Sequence, residues 1–94
     1  MLTYKAMYKY FDEGVHAEVL DYPGVITCGA NLNEARRLLA IALVDMAETS
    51  LQYGESLPIP VPNCTDPEAD LEEPIHLFLK ASSHITLVPQ EAVQ

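Results

Sequence analysis

Asp21-Tyr22-Pro23-Gly24-Val25, followed by Gly29-Ala30-Asn31-Leu32-Asn33-Glu34-Ala35, is the stretch whose reading decides the fold. Proline fixes φ and glycine tolerates φ > 0, so Pro23-Gly24 makes a tight turn. Val25-Ile26-Thr27-Cys28 is β-branched and bulky, the composition of a strand. Asn31 stands three residues before Glu34, the spacing of a capping box in which each side chain satisfies a free backbone N–H. A turn therefore feeds a strand, and the strand feeds a helix.

Working outward, residues 2–11 alternate as a strand does, with Tyr4, Ala6, Tyr8 and Tyr10 on one face and Lys5, Met7 and Lys9 on the other. Asp12-Glu13-Gly14 reads as a hairpin turn, and residues 15–20 as the return strand carrying Val15, Ala17 and Val19 together. With the strand at 25–29 this is a three-stranded meander. Downstream, Ala35, Leu38, Leu39, Ala42, Leu43, Met46 and Ala47 recur at three- and four-residue spacing and predict a helix from Leu32 to Tyr53. Gly54 and Pro58 stop it. Leu57-Pro58-Ile59-Pro60-Val61-Pro62 cannot feed a ladder at alternate positions, so it reads as an extended strap. An acidic loop over 63–73, a fourth strand over 74–80 and a short fifth strand at His84–Val88 complete the reading.

The fold class expected is α+β, β-β-β-α-β in sheet order 3-2-1-4. The helix covers one face, and the crossover predicts a fourth strand parallel to the first. The helical stripe is expected to pack on Tyr4, Ala6, Val15, Ala17 and Val19. The opposite face would carry Lys5, Met7, Lys9, His16, Leu20, Ile26, Cys28 and Phe78. Of these, Met7, Leu20, Ile26 and Phe78 form a candidate oligomer face, because one helix leaves this side uncovered.

With 94 residues the chain is read as a single domain, with core, helix and strap in 1–62, the acidic loop in 63–73 and strand plus tail in 74–94. No apolar run approaches the roughly 20 residues of a membrane span, and Lys5 and Lys9 interrupt what a signal peptide would keep apolar. Both readings point to the cytoplasm. Cys28 and Cys64 are too far apart for a CxxC pair, and His16, His76 and His84 stand singly, so no metal or other cofactor is expected. His16 and Glu18 share a strand face and can pair. No GxSxG serine and no glycine-rich phosphate loop occurs, and the first strand holds no acid to anchor a two-metal nuclease site. The reading is of a protein that is not an enzyme. Fourteen acids against five bases give a net charge of −9, which repels nucleic acid and suits a basic partner.

The ordered set of Tyr4 to Ala6, Val15 to Val19, D-x-P-G-x-x-x-x-G from Asp21 to Gly29, Leu32 to Ala35, a long helix, and G-x-x-x-P-x-P at Gly54, Pro58 and Pro60 resembles the HicB antitoxins. The resemblance implies a degraded ribonuclease H-like domain that binds and blocks a HicA toxin, a small basic ribonuclease. Many such proteins also carry a C-terminal DNA-binding domain. Residues 63–94 show no second helical segment, so autonomous operator binding is not expected. Asp66, Glu68, Asp70, Glu72 and Glu73 are the candidate toxin-binding residues, held out by the proline strap. The alternative reading is an orphan oligomeric domain of the same fold with a small ligand or a scaffold role.

Overall fold

A computed structural model describes residues 1–79. The elements run β1 (Leu2–Phe11), β2 (Gly14–Val19), β3 (Ile26–Gly29), α1 (Leu32–Gln52) and β4 (Leu71–Leu77). They form one sheet in the order β3-β2-β1-β4. The fifth strand expected at His84–Val88 lies outside the described residues, as do Lys80 and the tail.

The joint that opened the sequence reading folds as its chemistry requires. Tyr22 N–H donates to the Val19 carbonyl and Val25 N–H to the Tyr22 carbonyl, with Gly24 at φ +94°. Asn31 Oδ1 accepts the Glu34 N–H at 2.9 Å and caps the helix. The Glu34 carboxylate reaches back to Ala30 N–H at 2.7 Å, one residue further than a capping box requires. At the other end Gly54 takes φ +72°, the left-handed stop.

One face of the sheet meets the helix. Ala35, Leu39, Leu43, Ala47 and Ser50 are the buried helical residues, a stripe stepping by four with one step of three. It packs on Tyr4, Ala6, Tyr8, Val15, Ala17 and Val19. Leu38, Ala42 and Met46 are only half-buried and flank this stripe. Gly29 sets how close helix and sheet approach: a Cβ there would sit 2.6 Å from the Ala35 backbone nitrogen. Its carbonyl in turn lies where a Cβ on Gly14 would be, at 2.5 Å, so hairpin, strand and helix close on two glycines.

The orientation of β4 corrects the sequence reading. β4 is antiparallel to β1, with Leu2 opposite Leu77 and Tyr8 opposite Leu71, so the sheet is antiparallel throughout. The parallel assignment assumed that the helix alone spans the crossover. In fact the chain traverses the sheet twice. The strap starts beside the beginning of β1, where Pro58 O accepts the Tyr4 hydroxyl at 2.7 Å. It passes Asp21, which takes the Val61 N–H, and Lys5, whose ammonium donates to Cys64 O. It arrives at Asp70, whose N–H donates to Tyr8 O near the far end. β4 must then run back against β1.

β4 also begins three residues earlier than the composition suggests, so Glu72 and Glu73 belong to the strand and not to the acidic loop. Pro74 sits inside it without breaking the ladder. It lies opposite Lys5, whose N–H and carbonyl are already engaged by Asp21 Oδ1 and Leu20 N–H. The missing proline donor is not needed there.

Candidate partner-binding surface

The sheet face away from the helix is built from alternate residues: Thr3, Lys5, Met7, Lys9 and Phe11 of β1, His16 and Glu18 of β2, Ile26 and Cys28 of β3, Glu72, Pro74 and His76 of β4. It is laced by charge pairs. Lys9 Nζ meets Glu68 at 2.7 Å, Lys5 Nζ lies 3.6 Å from Glu72, and His16 Nε2 is 3.0 Å from Glu18, the pairing expected from the sequence. On the helix side, Arg36 grips Glu73 through two bonds of 2.8 and 2.9 Å, and Arg37 lies 4.0 Å from Glu34. Every lysine and arginine of the described residues therefore faces one of the chain's own carboxylates.

This pairing changes what the five candidate acids do. Glu68 holds Lys9, Glu72 faces Lys5, and Glu73 holds Arg36. Asp70 Oδ2 accepts the Tyr10 N–H at 2.7 Å, and Asp66 Oδ1 accepts the Glu68 N–H at 2.9 Å. Far from being held out by the strap, the segment is fastened along β1, and its acids are divided between the two faces. Glu73 also lies against Tyr8, whose phenol is pushed up to about 12, first by burial and then by that carboxylate. No sequence pattern could show these pairs without the antiparallel register of β4.

The candidate oligomer face is likewise divided. Ile26 and Phe78 are 55% and 66% exposed, and Leu20 is half-buried. Met7, by contrast, is 3% exposed, so it cannot contribute to a surface. The flanking lysines are tied to Glu72, Cys64 O and Glu68, and this closes the centre of the face over it. Phe11 was not singled out from the sequence, yet it is 54% exposed, with the Lys9 ammonium 5.8 Å from its ring centre. Cys28 is an exposed free thiol, and no group of three or more metal-ligating side chains occurs among the described residues. No helix among them is long and apolar enough to cross a membrane.

Glu72 gives this surface an acid-sensitive element. Its carboxylate accepts the Asp66 N–H and the Thr65 hydroxyl, both at 2.8 Å. Those two bonds, then the Lys5 charge, outweigh desolvation and hold its pKa below the ordinary glutamate range. The folded chain then binds this proton less readily than the unfolded chain does. The stabilisation is present above the unfolded pKa and is lost as pH falls through the folded one. Denaturation followed from about pH 5 downward should therefore show a shallower acid limb for Glu72→Gln than for the parent. Superimposable limbs would show that the carboxylate gains nothing from its partners.

No family model and no curated protein matches the sequence. Solved structures do match the fold. The N-terminal domain of the Burkholderia pseudomallei antitoxin HicB aligns with a TM-score of 0.66 at 21% identity, covering 83% of this chain and 100% of that one. The fold is that of a HicB antitoxin domain. The HicA3 and HicB3 toxin-antitoxin complex matches with a TM-score of 0.64 at 17% identity, covering 83% of this chain and all of that one. A toxin-antitoxin complex from Streptococcus pneumoniae matches with a TM-score of 0.69 at 18% identity, covering 99% of this chain and 77% of that one.

Proposed function

We propose that this chain is an antitoxin that binds a small basic HicA-type mRNA-cleaving toxin and neutralises it by protein–protein contact, without catalysis, cofactor or direct nucleic-acid binding of its own. The observation that carries this reading is the HicB fold across most of the chain, shared with two toxin–antitoxin complexes. The charge distribution supports it. With the described cations all paired internally, the −9 net charge stands as an uncompensated anionic field around the molecule. Asp66, Glu68, Asp70, Glu72 and Glu73 contribute to that field. Their part is to accelerate encounter with a cationic surface rather than to form the lasting contact, since each is already engaged within the fold.

The test is growth rescue. Induction of the short basic reading frame adjoining this gene should arrest growth, and co-expression of this chain should restore it and yield a co-purifying complex. Arrest without rescue, or the absence of a toxic neighbour, sinks the antitoxin reading and favours the orphan domain.

A further inference from the structure

The two edges of the sheet are built differently. β4 carries Pro74 at mid-strand beside Glu72 and Glu73, and proline with charge is how sheets blunt an edge against added strands. β3, Ile26-Thr27-Cys28-Gly29, has neither. Its outward groups follow from the ladder. Val19 N–H donates to Val25 O and Leu20 N–H to Lys5 O. Along β2, then, Val15, Ala17 and Val19 direct their backbone groups to β3, while His16 and Glu18 direct theirs to β1. Thr27 and Gly29 face Ala17 and Val15 and are engaged by β2. The N–H and C=O groups of Ile26 and Cys28 point away from the sheet, and no described residue bonds to them.

A hollow lies at each end of this edge, one reaching Cys28 and Gly29 and the other Gly24 and Val25. At the hairpin end a depression of about 310 Å³ is lined by Phe11, Glu13, His16, Cys28 and Gly29 among others. On the helix side one of about 310 Å³ lies among Gly24, Val25, Ala42, Asp45, Met46 and Thr49. A strand added to a sheet lies about 4.8 Å outside the edge and sends alternate side chains to the two faces. Such a strand along β3 would run between the two hollows, its open-face row ending at the first and its helix-side row at the second. The geometry points to Ile26–Gly29 as the edge to which the basic toxin adds an extended strand, as a fifth strand of the sheet. This rests on the antitoxin reading and locates its contact.

Charge selects the occupant. Glu13 lines the first hollow, Asp45 lines the second, and Glu18 stands opposite Ile26. A second copy would bring the same acids and another −9 to a two-fold edge pairing, whereas a strand bearing lysine or arginine meets complementary charge.

Amide exchange of the labelled full chain, alone and with the catalytically inactivated basic neighbour, decides the matter. The Ile26 and Cys28 amides should exchange fast in the free chain and slow at least about tenfold in the complex, the protection one ladder bond or a little more confers. Thr27 and Gly29 should be protected in both. Cys28→Pro removes an outward donor without touching β2, so it should weaken binding by about tenfold with an unchanged melting temperature. A complex that forms without slowing exchange at Ile26 and Cys28 overturns the edge assignment and leaves the antitoxin reading standing. No complex at all overturns both. Protection that appears in the free chain and rises with its concentration identifies a second copy as the occupant and overturns the toxin.

Discussion

Leu39→Ala is expected to destabilise the fold by about 2–5 kcal/mol, the range for truncating a fully buried leucine. Leu39 is 0% exposed at the centre of the helical stripe and belongs to the one cluster that joins Tyr4, Ala6 and Tyr8 of β1 to Val15, Ala17 and Val19 of β2. Truncation removes transfer free energy and leaves a cavity, because the close-packed residues around it relax only partially. In a domain of this size a loss of 2 kcal/mol lowers the melting temperature by roughly 8 °C or more. Ile41, two positions on, is 48% exposed, and its alanine variant should stay within about 0.5 kcal/mol of the parent. Urea midpoints at constant slope read both variants. Equal losses at the two positions would mean that the stripe is not the core.

The Leu39 prediction could have been made from the sequence because helix and meander rest on local signals. The Asn31 cap, the alternation of β1 and the turn at Pro23-Gly24 act within a few residues, and the structure reproduces each of them, with Glu34 reaching back to Ala30 rather than to Asn31. The direction of β4 rests on no local signal. It depends on where an 18-residue connection (53–70) lies against the sheet, and that is set by single bonds such as Tyr4 to Pro58 and Asp70 to Tyr8. The placement of the candidate acids escaped the sequence for the same cause. Five carboxylates in eight residues look like a solvated loop until the antiparallel register places Glu72 opposite Met7 and Glu73 opposite Ala6, within reach of Lys5 and Arg36. The charge excess was legible; the internal pairing of the described lysines and arginines was not. Nor was the open edge at Ile26 and Cys28, since which amides face outward depends on the phase of the β2–β3 ladder rather than on composition.

Asp21 joins the local motif to the long-range topology, and its loss should cost as much as a core truncation. It leads the D-x-P-G turn, yet its carboxylate serves the turn less than the strap. Oδ1 accepts the Lys5 N–H of β1 and Oδ2 accepts the Val61 N–H of the strap, both at 2.9 Å, on a residue only 9% exposed. One carboxylate thus binds the start of β1 to the segment that carries the chain back along the sheet. Asp21→Ala leaves two partly buried donors without an acceptor, at about 1–3 kcal/mol each, or roughly 2–6 kcal/mol together. Asp21→Asn is not a conservative change here. The amide keeps one acceptor oxygen but turns an N–H toward the other donor, so about half of that loss should remain. The distinguishing readout is local. In Asp21→Ala the Val61 and Lys5 amides should exchange faster, and protection of Leu71–Leu77 should fall with them, since β4 reaches β1 only by way of the strap. Unchanged exchange at Val61 would show that the prolines alone hold the strap in place. In that case the aspartate of the motif has no part in directing β4.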